Sequence, residues 1–107
     1  MYYWGDYSQS LYDCCKEPTE ENLLRHRQIL EEIIAESNNR NLRVPPGVYA
    51  ELGYIYFRQN RSAEAIKLFD LEERTYPESK IFMQRLTRAA RAKENSLQKE
   101  GTPPERP

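Results

Sequence analysis

Apolar residues recur along this chain at helical spacing, in blocks separated by proline or by polar clusters. Tyr7, Leu11 and Cys14 make a short amphipathic pattern that predicts a helix over about 8–16, closed off by Pro18. Thr19 then stands as an N-cap, with Glu20 and Glu21 in the first turn where the helix dipole favours anions. The helix it opens is expected over 19–37. Leu23, Leu30, Ile33 and Ile34, with Leu24 and Ile29 beside them, form a stripe wider than a surface helix needs, so this helix is expected to pack on two sides. Asn38 to Arg43 reads as a polar turn, pinned by Leu42 and Val44. Pro45-Pro46-Gly47 then opens a pair of helices over 46–77, with Pro46 near the first turn. Tyr49, Leu52 and Tyr56 recur at i, i+3, i+7 on the first of them, and Ala65 and Phe69 answer from the second. Pro77 lacks an N–H and stops that second helix. Ser79 is the expected N-cap of a last helix over 79–95, and 96–107 is expected to be a mobile, proline-rich tail.

The order Tyr49-x2-Leu52-Gly53-x2-Tyr56, then Ala65-x3-Phe69, then Pro77 resembles the tetratricopeptide signature, with Tyr49 where Trp is usual. The small residues Gly53 and Ala65 imply two helices crossing at close approach. Asn60 and Ser62 stand at turn positions where Gly and an aromatic are common, and Glu72 stands where a small residue is usual; these departures suggest a looser second helix. A shift of about 34 residues sets Met83 on Tyr49, Leu86 on Leu52, Thr87 on Gly53 and Ala90 on Tyr56. The stripe survives without its glycine, as expected of a capping helix that covers the last apolar face. The same shift sets Pro18 on Leu52, so any first repeat is degenerate. The expectation is an all-α chain: one domain over 1–95, with an aromatic segment and short helix over 1–17, built as a short tetratricopeptide-like helical-hairpin solenoid with a C-terminal capping helix.

Composition narrows the function classes. At 107 residues, 31% charged and 38% hydrophobic, the chain is one small domain of thin helical layers. A net charge of −1 supplies no global field toward nucleic acid or membrane, and neither is an expected direct partner. No apolar run approaches the length of a transmembrane helix, and Met1 ahead of Tyr2-Tyr3-Trp4 is expected to stand where an export segment has been left off. Cys14 and Cys15 are adjacent, too strained a pair to bridge; on a helix one should face inward and one water. With one His and no third Cys, neither a metal set nor a cofactor is expected. His26 lies at the edge of its helix's apolar stripe. Lacking a nucleophile or an orienting partner nearby in sequence, it reads as a packed, hydrogen-bonded ring in preference to a catalytic or pH-sensing one. There is no nucleophile elbow and no Gly-rich phosphate loop, so an enzyme is not expected. Tyr2, Tyr3, Trp4 and Tyr7 are expected to fold back over an otherwise bare helical face.

Several segments together carry a narrower likeness. These are Tyr3-Trp4-Gly5-Asp6-Tyr7, His26 with Leu30-Glu31 and Ile33-Ile34, and Leu42-Arg43-Val44-Pro45-Pro46-Gly47. With them go Tyr49-Ala50-Glu51-Leu52-Gly53-Tyr54 and Tyr76-Pro77-Glu78-Ser79. The set resembles a family of short bacterial lipoproteins of unassigned function, often encoded beside a lipoprotein similar to the curli secretion pore. The resemblance spans roughly residues 3–90 and implies export, lipidation at a Cys upstream of these residues, and attachment to the outer membrane facing the periplasm. No lipobox Cys lies among these residues, and the family brings no catalytic residues with it.

The tetratricopeptide resemblance implies a concave groove lined by the first helix of each pair. Its positions carry over to Ala50, Tyr54, Phe57 and Arg58, and on the capping helix to Ile81, Gln84, Arg88 and Arg91. This aromatic and cationic surface suits carboxylates and extended peptide. The expected function is a non-enzymatic adaptor of an envelope lipoprotein complex that takes a protein or peptide segment in this groove, with the N-terminal aromatics as a rival occupant. The alternatives are a homo-oligomeric structural protein, a regulator of a cell-wall synthase, and a small hydrolase using His26 with a carboxylate.

Overall fold

Five α-helices follow the blocks of the apolar pattern in the computed structural model, which describes the backbone of residues 1–101 and the side chains as far as residue 97. They are α1 (Tyr7–Lys16), α2 (Glu20–Asn39), α3 (Val48–Arg58), α4 (Ser62–Thr75) and α5 (Lys80–Gly101), with a single 3-10 turn (Pro77–Ser79) before α5. The fold is all-α, and no strand occurs among the described residues. Each helix packs chiefly on its neighbour in sequence, most extensively α3 on α4 and α4 on α5.

The helix ends have local causes. Thr19 Oγ1 accepts the Asn22 N–H at 3.1 Å, the cap expected from the sequence. Both α2 and α3 end on an asparagine in the left-handed region, Asn41 at φ 54° and Asn60 at φ 63°. In each case two reverse hydrogen bonds close the last turn: Leu42 N to the Ser37 carbonyl at 2.8 Å with Asn41 N to Asn38 at 3.2 Å, and Arg61 N to Tyr56 at 2.9 Å with Asn60 N to Phe57 at 3.2 Å. Asn60 therefore does the work that glycine does at such a turn. Ser79 behaves differently from expectation. Its hydroxyl donates to the Tyr76 carbonyl at 2.7 Å inside the 3-10 turn, and α5 begins one residue later. The last helix also outruns 79–95: Asn95 to Glu100 contain no breaker, so it continues to Gly101, and the rest of the expected tail lies outside the described residues.

Two apolar clusters hold the helices together. Leu30 and Ile33 of α2 meet Val44, Val48 and Leu52, with Tyr3 and Tyr7 laid against them. Ala65 and Phe69 of α4 meet Met83 and Ala90 of α5, flanked by Ala50, Tyr56 and Phe57 of α3. The aromatic segment thus folds back onto the first cluster, where Arg40 stacks 4.7 Å over the Tyr3 ring. Gly53 is buried where α3 meets α4. A Cβ there would lie 2.7 Å from the Phe69 ring and 3.2 Å from Leu68, so the nearest neighbour is Phe69 rather than the Ala65 expected from the signature.

A looser α4 is not what Glu72 produces. The helix runs unbroken over fourteen residues, and Glu72 is 3% exposed. Its carboxylate reaches the start of α3, accepting the Gly47 N–H at 2.9 Å and the Ala50 N–H at 3.3 Å. Gly47, at φ 90°, has no side chain with which to cap α3, so a carboxylate from α4 fills the place against the positive end of that helix. Tyr76, just past α4, pins the same region by donating to the Val44 carbonyl at 2.7 Å.

Candidate functional site

The most chemically loaded place among the described residues is a line of side chains from three helices, buried at two of them and 33% exposed at the third, Glu51. Ser10 comes from α1, His26 from α2 and Glu51 from α3. Ser10 Oγ lies 2.7 Å from His26 Nδ1, and His26 Nε2 lies 2.7 Å from Glu51 Oε1. The Tyr7 hydroxyl donates to the other oxygen of Glu51 at 3.0 Å, and its ring stands 5.5 Å from the imidazole. A carboxylate accepts only, so in the neutral imidazole Nε2–H donates to Glu51 and Nδ1 accepts the Ser10 hydroxyl proton. When Nδ1 carries a proton of its own, the hydroxyl can turn to the Tyr7 carbonyl at 3.2 Å. Both states of the ring keep every polar atom partnered.

The composition of this line is that of a serine–histidine–carboxylate relay, in which the imidazole would take the serine proton and the carboxylate would steady the imidazolium. Access is closed to it in this conformation. Ser10 is 1% exposed and His26 3%, so a reacting carbonyl has no route to Oγ in this conformation. The line instead fastens α1 to α2 and α3 through hydrogen bonds that are satisfied from end to end. Asp13 adds to the fastening, with Arg25 Nη1 3.1 Å from its carboxylate. Cys14 is half-buried and Cys15 exposed, both free, as the helical spacing of neighbours requires.

Burial, together with the Glu51 charge and the hydrogen bond to it, pushes the Tyr7 phenol from 10.0 up to about 12. A group held neutral in the fold but able to ionise when unfolded contributes stability that is whole below its unfolded value. That stability is lost as pH rises through the window from 10.0 to about 12. Tyr49, Tyr56 and Tyr76 are raised as well, each first by burial, so they too should weaken the native chain as pH rises above 10.0. Tyr7→Phe should show a shallower loss. Urea midpoints at stepped alkaline pH measure both, and equal slopes would assign the lability elsewhere.

The groove residues expected from the sequence fall on two surfaces. On α3, Ala50 is half-buried in the second cluster, Tyr54 is 45% exposed, and its ring lies 5.9 Å from that of Phe57. Lys93 of α5 sits 4.5 Å over the Phe57 ring and donates to the Phe57 carbonyl at 2.8 Å, the same carbonyl that accepts the Asn60 N–H in the closing turn of α3. Arg58 is exposed beside them. Gln84, Arg88 and Arg91 do not share this surface: they line an open cleft of about 460 Å³ whose other wall is α4, with Asp70 and Glu73 facing them. Ile81 stands free at the start of α5, 68% exposed. The N-terminal aromatics occupy neither place, since Tyr3 and Tyr7 pack on the first cluster and Trp4 pairs with Tyr7 at 5.0 Å.

Residues 1–86 match the family described as a domain of unknown function (DUF4810). The chain belongs to that family. The matched span takes in α1 to α4 and the beginning of α5, and with them Tyr7, Ser10, His26, Glu51, Gly53 and Glu72; Arg88 and Arg91 lie beyond it. Neither the curated proteins nor the solved structures give a match to this chain. Among the described residues no group of His, Cys, Asp and Glu is placed to hold a metal ion, and no helix is long and apolar enough to cross a membrane.

Proposed function

We propose that this member of the family is a protein-interaction module, a non-enzymatic adaptor whose α3 surface at Tyr54 and Phe57 receives a segment of another protein. The observation that carries this reading is Tyr54, an aromatic ring 45% exposed and tilted 38° to that of Phe57, with the exposed Arg58 one helical turn on. An aromatic shelf beside an arginine suits an apolar side chain followed by a carboxylate. Packing in chain order, α2 on α3, α3 on α4 and α4 on α5, supports the tetratricopeptide-like solenoid reading, in which each layer touches only its neighbours. The resemblance to outer-membrane lipoproteins supports a place in an envelope complex facing the periplasm, with lipoprotein neighbours or a cell-wall synthase as the partner. The sealed Ser10 is what sets the hydrolase reading below the adaptor.

A photo-reactive residue at position 54 should cross-link one polypeptide from an envelope extract. Tyr54→Ala and Arg58→Ala should each lower capture of that polypeptide at least tenfold, about 1.4 kcal/mol, with the far-ultraviolet circular dichroism unchanged. Normal capture by both variants would remove this surface from the function.

A further inference from the structure

The charges of this chain are sorted along it. Residues 1–39 carry eight carboxylates against three Lys and Arg, residues 40–79 carry six of each, and residues 80–97 carry five cations against one carboxylate. Because the helices pack in chain order, the molecule is acidic at α1 and α2, neutral through α3 and α4, and basic at α5, over a long dimension of 56 Å. The ion pairs among the described residues lie outside α5, where Lys16, Arg43, Arg58 and Lys67 take no part in them either. Arg25, His26, Arg27, Arg40, Arg61 and Arg74 each lie within 4 Å of a carboxylate. Among the described residues none of Lys80, Arg85, Arg88, Arg91 and Lys93 does.

Each end has the same make-up with the sign reversed. On α5, Arg85, Arg88 and Arg91 are exposed, Arg88 and Arg91 at the edge of the cleft whose α4 wall carries Asp70 and Glu73, and Ile81 and Phe82 precede them at 68% and 60% exposure. At the other end Glu17, Glu20 and Glu21 are exposed where α1 passes into α2, and Leu23 and Leu24 follow at 42% and 46%. We propose that these two surfaces meet between copies of this chain, the basic α5 of one docking head to tail on the acidic α1–α2 corner of the next. Exposed aliphatic and aromatic side chains beside each charge cluster supply apolar area, and the opposite potentials supply orientation and encounter rate. A phospholipid surface or a nucleic acid would meet α5 alone and would be repelled by the acidic end. A second copy uses both. The contact is heterologous, so the surface left free on each copy can take another.

Sedimentation velocity across a concentration series tests this. At low salt the mass-average weight should at least double with concentration, and it should return to that of the monomer near about 0.5 M salt, where screening is strong. A variant carrying Arg85→Glu, Arg88→Glu and Arg91→Glu should stay monomeric, and so should one carrying Glu17→Arg, Glu20→Arg and Glu21→Arg. An equimolar mixture of the two folded variants should associate again, because each then presents to the other a pair of opposite signs. A native chain that is monomeric throughout at low salt overturns the proposal, as does a mixture that fails to recover. Binding of the monomer to phosphatidylglycerol vesicles through Arg85, Arg88 and Arg91 also overturns it, and assigns α5 to a lipid surface.

Discussion

Truncating Phe69 to alanine should destabilise the chain by about 3–5 kcal/mol, a large part of the roughly 5–15 kcal/mol available to a small domain. The ring is fully buried and belongs to the cluster that joins α4 to α5, and it fills the space that Gly53 leaves in α3. That last contact makes the prediction sharper. Gly53→Ala should also destabilise, by about 1–3 kcal/mol, because the new methyl would stand 2.7 Å from a fully buried ring, and one of the two must shift. It should do so although alanine favours a helix over glycine by about 1 kcal/mol. In the double variant the methyl enters the volume that the ring has vacated, so the two losses should sum to more than the loss measured. Urea denaturation of the four proteins gives the coupling directly. Strict additivity would mean that Gly53 and Phe69 do not meet.

That contact also shows what could be read from the chain and what could not. The existence of every helix was legible, because apolar spacing at Leu30 and Ile33, Leu52 and Tyr56, Ala65 and Phe69, and Met83 and Ala90 has one period throughout. Ends were less so. Asn38 to Arg43 reads as polar turn, yet only Asn41 takes the left-handed conformation, and the two residues on its N-terminal side that precede Arg40 stay in α2. The partners of His26 were illegible for a plain reason: Ser10 and Glu51 stand on other helices, sixteen and twenty-five residues away, and no local spacing announces them. The positions carried over to the groove by treating α5 as a repeat of α3 do not share one surface. On α5 the flank facing α3 is the one carrying Lys93; Gln84, Arg88 and Arg91 stand on the other flank, and so border α4. A position carried over by sequence register keeps its angle around the helix axis, while the neighbours of a terminal helix are different.

Glu72 had a legible signal that was taken the wrong way, and it yields the second large effect. It follows Phe69 by three positions and Ala65 by seven, which puts a carboxylate in the register of the core. A buried carboxylate demands donors, and here the donors are the Gly47 and Ala50 N–H groups at the mouth of α3. Glu72→Ala removes both acceptors at once from a site 3% exposed, and should cost about 2–4 kcal/mol. Glu72→Gln separates the chemistry from the volume. The glutamine amide keeps the shape but offers one carbonyl oxygen for two donors, and its NH2 points at whichever N–H is left over. It should therefore cost about 1–2 kcal/mol, where a residue retained for packing would be replaced at no cost. Amide hydrogen exchange reads the mechanism apart from the stability: Gly47 and Ala50 should lose protection selectively in the glutamine variant, while amides in the middle of α4 keep theirs. Uniform acceleration along α4, or protection at Gly47 equal to that of the native chain, would mean that α3 is capped by something other than Glu72.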